Sequence, residues 1–157
     1  MSSTLRAIPL YLEDLTPGMI IDAGPRTVTR EEGVAFAQQF DPQPFHLDDA
    51  AAKNSLFDGL ALSGWHTAAL CMRMVVESPL GQIASGLVGI ELRSLRWPTP
   101  ARPGDTLRLK IEVLGTKPSR SRPGWGTGEL RWVVRNQKDD IVMTMENTIW
   151  AACRPAL

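Results

Sequence analysis

The sequence predicts an α+β domain in which antiparallel strands lie against one long helix. Three observations carry this reading. Residues 64–77 are apolar around most of a helical circumference, the pattern of a helix enclosed by other structure. Leu107, Leu109, Ile111 and Val113 recur with strict period two, as on a half-buried strand. From residue 87 onward, strand-like runs alternate with turn residues, which suits consecutive antiparallel pairs.

Taken in order, Pro17-Gly18 marks a turn, and residues 19–28 read as a strand interrupted at Gly24-Pro25. Thr29 followed by Glu32 forms a capping box. The helix after it carries Val34, Phe36, Ala37 and Phe40 at helical spacing and ends at Asp41, because Pro42 disfavours helical geometry in the residue before it. Residues 41–46 hold Pro42 and Pro44, which lack amide donors, and read as a stiff non-helical loop. Asp48, Asp49 and the following alanines predict a short helix to Lys53. The long helix begins at Ser63 or Gly64 and runs to about Glu77. Its residues Trp65, Ala68, Leu70, Met72, Val75 and Val76 predict burial on nearly every side. Beyond it, residues 87–97 alternate loosely and 103–105 form a turn. Residues 106–114 form a strand and 116–128 a polar loop. Residues 129–134 and 141–152 form two further strands joined through 136–140. This layout suggests the hotdog arrangement, a bent sheet wrapped on a central helix.

Length and composition fit one domain over 1–157, with its core over about 15–153. Hydrophobic residues make up 43% and charged residues 22%, enough apolar material for a core without staples. Lys plus Arg and Asp plus Glu each number 17, so the basic excess of a nucleic-acid binder is absent. Cys71 and Cys153 form no close motif, which argues for two buried reduced thiols rather than a disulfide or zinc site. The stretch from Met1 to Leu12 carries no signal-peptide pattern. No run approaches the ~18 uninterrupted apolar residues of a membrane span. The expected location is the cytoplasm.

Asp41 and His46 sit at opposite ends of the proline-stiffened segment. A carboxylate and an imidazole directed at one point can hold a water and accept its proton at neutral pH. On spacing alone, an Asp turn and a surface histidine are the simpler reading.

The run Phe40-Asp41-Pro42-Gln43-Pro44-Phe45-His46-Leu47-Asp48, with Ala51, resembles the signature of the MaoC-like dehydratases, which include the (R)-specific enoyl-CoA hydratases. The glycine of that family at the start of the central helix falls on Gly64, and Pro103-Gly104-Asp105 matches a typical turn. The resemblance implies a hotdog fold and interconversion of a 2-enoyl thioester with a 3-hydroxyacyl thioester. It implies that Asp41 and His46 bind and activate the water, and that the Gly64 N–H holds the thioester carbonyl. No cofactor is implied beyond the coenzyme A, or acyl carrier, that belongs to the substrate. The implied assembly is a homodimer or higher homo-oligomer. Two positions depart from the pattern: Gln43 replaces an asparagine, and Ser63 stands where a histidine is common. Gln43 is expected to touch the loop or the substrate.

Ser63 reads as a helix N-cap, or as a polar contact to substrate or to Asp41. His66 either lines the acyl pocket or is a packed, hydrogen-bonded core histidine. No ligand spacing supports a metal on His46, His66 and Asp48. Lys117, Arg120 and Arg122 form a basic loop suited to coenzyme A phosphates or simply solvated. Trp97, Trp125, Trp132 and Trp150 are expected in the core or at a subunit interface. Two other functions share this fold: a thioesterase, weakened because the central helix carries no acid before Glu77, and a non-catalytic acyl-binding subunit.

Overall fold

The computed structural model describes residues 8–156. Residues 1–7, within the stretch read for a signal pattern, and residue 157 lie outside the described residues. The elements run β1 (Ile20–Thr27), α1 (Arg30–Phe40), α2 (Pro44–Leu47), α3 (Asp49–Lys53), α4 (Gly64–Glu77), β2 (Val88–Arg96), β3 (Thr106–Pro118), β4 (Trp125–Arg135) and β5 (Ile141–Ala152). The five strands form one sheet in the order β1-β3-β4-β5-β2, and every pairing is antiparallel. This is the α+β hotdog layout that the order of elements predicts.

The capping box of α1 forms as read. The Glu32 N–H donates to Thr29 Oγ1 at 3.1 Å and the Thr29 N–H donates to Glu32 Oε2 at 3.0 Å, a cap that contributes about 1 kcal/mol. Alternation in β3 places Leu107, Leu109, Ile111 and Val113 on the inner face of the sheet, all fully buried. Leu130, Trp132 and Val134 of β4 and Met143, Met145 and Ile149 of β5 join the same core, together with Leu70, Cys71, Met74 and Val75 of α4. The sheet therefore buries one face against the helix, while charged residues such as Glu112, Arg131 and Glu146 pair on the other.

Four local expectations need correction. Residues 44–47 form a helical turn rather than loop, because Pro44 occupies its first position, where a missing N–H costs nothing and the fixed φ suits a helix. The polar stretch 116–128 is mostly strand: β3 and β4 stay in register to Pro118 and Gly126. At Gly126 a Cβ would lie 2.6 Å from the Lys117 carbonyl oxygen, so the glycine marks a close strand approach rather than a loop. The helix α4 is not buried all round, since Trp65, Met72 and Val76 are 58%, 37% and 51% exposed. Finally, β2 is an edge strand whose Val88, Ile90 and Leu92 are exposed, so its loose alternation has no single buried face behind it.

Both cysteines are free. Cys71 is buried, and burial pushes its thiol up to about 12. Cys153 is only half-buried, which revises the expectation of two buried thiols. A thiol reagent added to native protein is expected to modify Cys153 first and leave Cys71 untouched until denaturant is added, because only an accessible thiolate reacts. Mass spectrometry of the labelled peptides reads this directly, and early labelling of Cys71 would contradict the packing of α4.

Candidate active site

The end of α1 delivers Asp41. Its N–H donates to the Ala37 carbonyl at 2.9 Å, and Pro42 stops the helix there. The turn of α2 then carries His46 inward, where it is buried. His46 Nδ1 lies 2.7 Å from the Ala61 carbonyl oxygen. A carbonyl only accepts, so Nδ1 bears a proton. This contact leaves Nε2 facing Asp41 Oδ2 at 3.3 Å.

The Asp41 carboxylate is held from two further sides. Gln43 Nε2 donates to Oδ1 at 2.6 Å, and Ser63 Oγ donates to Oδ2 at 2.7 Å. Burial pushes this carboxyl up, but the hydrogen bonds from Gln43 and Ser63, with His46 beside it, outweigh burial and hold it below the ordinary carboxylate value. With Asp41 ionised and His46 neutral, Nε2 and Oδ2 are two adjacent acceptors. A proton between them makes an imidazolium–carboxylate pair. A water beside them would have two acceptors for its protons. The arrangement can therefore take up a proton and return it.

Directly after Ser63, which bonds Asp41, Gly64 opens α4. The first N–H groups of a helix have no intrahelical partner and carry the positive end of its dipole. Trp97 covers this point: a Cβ at residue 64 would lie 2.6 Å from the indole Cε2. Asp41, His46, Gly64 and Trp97 all line one cleft of about 650 Å³, walled further by Phe45 and Phe57.

The remaining expected residues divide. Gln43 lines the cleft and is committed to Asp41. Ser63 holds the N-cap position of α4, but its side chain makes no capping bond. It turns to Asp41 instead, fully buried and away from the cleft lining. There the hydroxyl donates to an ionised acceptor, a charge-assisted bond stronger than the neutral one it would accept from a helix N–H. His66 is buried, stacks on Phe36 with centroids 4.6 Å apart, and does not line the cleft. It is packed as expected but not fully hydrogen-bonded, since its Nδ1 has no partner. Asp48 caps α3 through Ala51 N–H at 2.7 Å, and no cluster of three potential ligands is placed to hold a metal among the described residues. Lys117 and Arg120 line a separate depression beside Trp150, with Arg122 stacked over the Trp150 ring at 5.5 Å. None of the three lines the cleft.

Two residues at this site were not singled out by sequence. Sequence alone places Trp97 in the core or at an interface. Arg102 pins the cleft wall, donating from its guanidinium to the Phe57 carbonyl at 2.5 Å and the Leu60 carbonyl at 3.3 Å. Its own N–H donates to Asp105 Oδ2 at 2.9 Å, and Asp105 Oδ1 accepts from Gln137 Nε2 at 2.9 Å. The only sequence signal was the adjacency of Arg102 to the Pro103-Gly104-Asp105 turn.

Residues 14–130 match the MaoC like domain. The chain belongs to the MaoC-like dehydratase family. A crystal structure of a MaoC-like dehydratase from Rhodospirillum rubrum is 44% identical, with a TM-score of 0.88 over 94% of this chain and 99% of that one. An unliganded (R)-hydratase from Pseudomonas aeruginosa is 24% identical, with a TM-score of 0.72 over 93% of this chain and 88% of that one. A Mycobacterium tuberculosis protein described as a double hotdog fold matches at 18% identity and a TM-score of 0.75, over 95% of this chain and 46% of that one. The family and the hotdog fold are thus established together. No helix among the described residues is long and apolar enough to cross a membrane.

If Asp41 must be ionised for an activity at this site, the Gln43 amide and then the Ser63 hydroxyl help set its acid edge. Ser63→Ala removes a donor that lowers the Asp41 pKa. The acid limb of a pH–rate profile is therefore expected to move to higher pH, with the neutral plateau less affected. An unmoved limb would mean that another group controls it.

Proposed function

We propose that this chain adds water across the 2,3 double bond of an enoyl thioester, or reverses that addition. The observation that carries the proposal is the Asp41–His46 pair, 3.3 Å apart, facing one cleft with the N-terminus of α4. In hydration, the pair holds the water and takes its proton as oxygen bonds to the β-carbon. One proton returns to the α-carbon, and the double bond is consumed. The Gly64 N–H meets the thioester oxygen as it gains enolate charge, a contact of the kind worth about 3 kcal/mol in a transition state. The thiol carrier enters with the substrate, and no further cofactor takes part. The family match and the (R)-hydratase fold support this reaction class.

The direct test follows the absorbance of conjugated 2-enoyl-CoAs of graded chain length. Loss of absorbance without thiol release supports hydration. Thiol release would move the chain to thioester hydrolysis.

The working form in this proposal is a homodimer. The unpaired edge of β2 exposes Val88, Ile90 and Leu92 at 45%, 48% and 56%, and Met72 and Val76 of α4 are exposed as well. A bare apolar edge is a liability that a second copy removes. Light scattering is expected to give at least a dimer mass. A monomer would remove this part of the proposal.

A further inference from the structure

A second cavity, of about 420 Å³, lies between α4 and the inner face of the sheet. Ala68, Met72 and Val75 of α4 form its helical wall, Leu130 and Ile149 contribute from β4 and β5, and Ile90 and Leu92 of β2 border it at the exposed edge assigned above to a second copy. Both cavities border α4, the first at Gly64 and the second from Ala68 onward. Gly64 and Ala68 are one stripe of α4, four residues apart, so the shift along the axis is about 6 Å. An acyl chain whose carbonyl sits at Gly64 reaches this cavity within a few methylenes.

Apart from Glu91 on the exposed β2 edge, the lining is apolar except at two buried points. Trp132 and Asn147 are each 5% exposed, line the cavity, and each carries a buried polar atom with no partner: the indole Nε1–H and the amide Oδ1. They occupy neighbouring strands on the same face, since Leu130 pairs with Asn147 and Trp132 with Met145. This makes them diagonal neighbours on one face of the sheet, both lining the same cavity. The Asn147 amide nitrogen is directed at Met145 Sδ, 3.3 Å away, which leaves the oxygen as the free end.

A buried donor and a buried acceptor left unpaired cost free energy, and an apolar chain filling the cavity would leave both unpaired. A hydroxyl satisfies both, because it accepts from Nε1–H and donates to Oδ1. A carboxylate does not suit the site. Glu91 is the only charged residue in the lining, and it already faces Arg93 at 3.7 Å.

We infer that Trp132 and Asn147 select a thioester whose acyl chain carries a neutral hydroxyl beyond the reacting carbons. This rests on the thioester reading above and names the substrate class of that site.

The test measures binding by calorimetry, using the full chain and saturated acyl-CoAs that cannot be hydrated. Straight chains of graded length are compared in matched pairs, with and without a distal hydroxyl. At one length the hydroxylated member is expected to bind at least about ten-fold tighter. That ratio is expected to fall to near one in Trp132→Phe and in Asn147→Leu, with binding of the plain chain retained. Asn147→Leu keeps the test decisive if Trp132→Phe disturbs the sheet. A ratio of one or less at every length, or a ratio that survives both substitutions, overturns the inference. Hydration of plain 2-enoyl-CoAs is measured in parallel. Hydration without hydroxyl preference overturns the inference alone. Preference without hydration supports the inference and overturns the reaction proposed above.

Discussion

Asp41→Asn and His46→Gln are each expected to slow hydration of a 2-enoyl-CoA by at least about 100-fold, the scale of lost acid–base catalysis. Both substitutions keep side-chain volume close to the original. The asparagine retains a carbonyl oxygen for the Ser63 hydroxyl, now 2.7 Å from Oδ2. The glutamine can still donate toward the Ala61 carbonyl that Nδ1 now meets. Thermal midpoints should therefore fall by no more than about 4 °C, the shift that a loss of ~1 kcal/mol gives in a chain of this size. Because the two groups share one proton path, the double variant should be little worse than either single one. Additive losses, or near-normal rates in either variant, would break the pairing of Asp41 with His46 as a functional unit.

The second large effect is expected at Gly64. Alanine here places a Cβ 2.6 Å from Trp97 Cε2 and 2.8 Å from Cδ2, well inside contact distance. The clash is with a rigid ring, not a flexible chain end, so either the indole or the first turn of α4 must move. A displacement of about 1 Å in a positioning group costs on the order of 100-fold in rate, and Gly64→Ala is expected to lose that much. Its cost to folding should be only about 1–3 kcal/mol, as for other overpacked sites. Trp97→Leu in the same chain removes the obstructing ring and is expected to restore part of the rate. If the double variant is as slow as Gly64→Ala, the harm comes from the helix start itself and not from the indole.

The parts of this fold that sequence predicts well are those set by neighbours along the chain. The Thr29–Glu32 box depends on residues three apart, and it forms. The alternation from Leu107 to Val113 depends on strand period alone, and those residues are buried as expected. The misreadings share a different cause. Pro44 excludes a helix interior but favours a helix start, and composition does not say which position it takes. The apolar residues on the outer faces of α4 and β2 are left exposed in the chain, which a pattern read as burial cannot distinguish. At the site, Asp41, Gln43 and His46 lie within one short segment and are visible together. Ser63 meets Asp41 across 22 positions, and Trp97 reaches Gly64 only through the folding of β2 and the turn after it. Such contacts are tertiary, and residue type alone leaves each of these side chains several equally good uses.

The wall of the cleft answers to a part of the molecule that never touches it. Gln137, exposed between β4 and β5, holds Asp105, and Asp105 steadies Arg102. Arg102 in turn fixes the backbone at Phe57 and Leu60. Hairpin tips tolerate replacement more readily than strands or catalytic loops. Change at residue 137 is therefore expected to be felt at the backbone of Phe57 and Leu60, two side chains away, without touching Asp41 or His46.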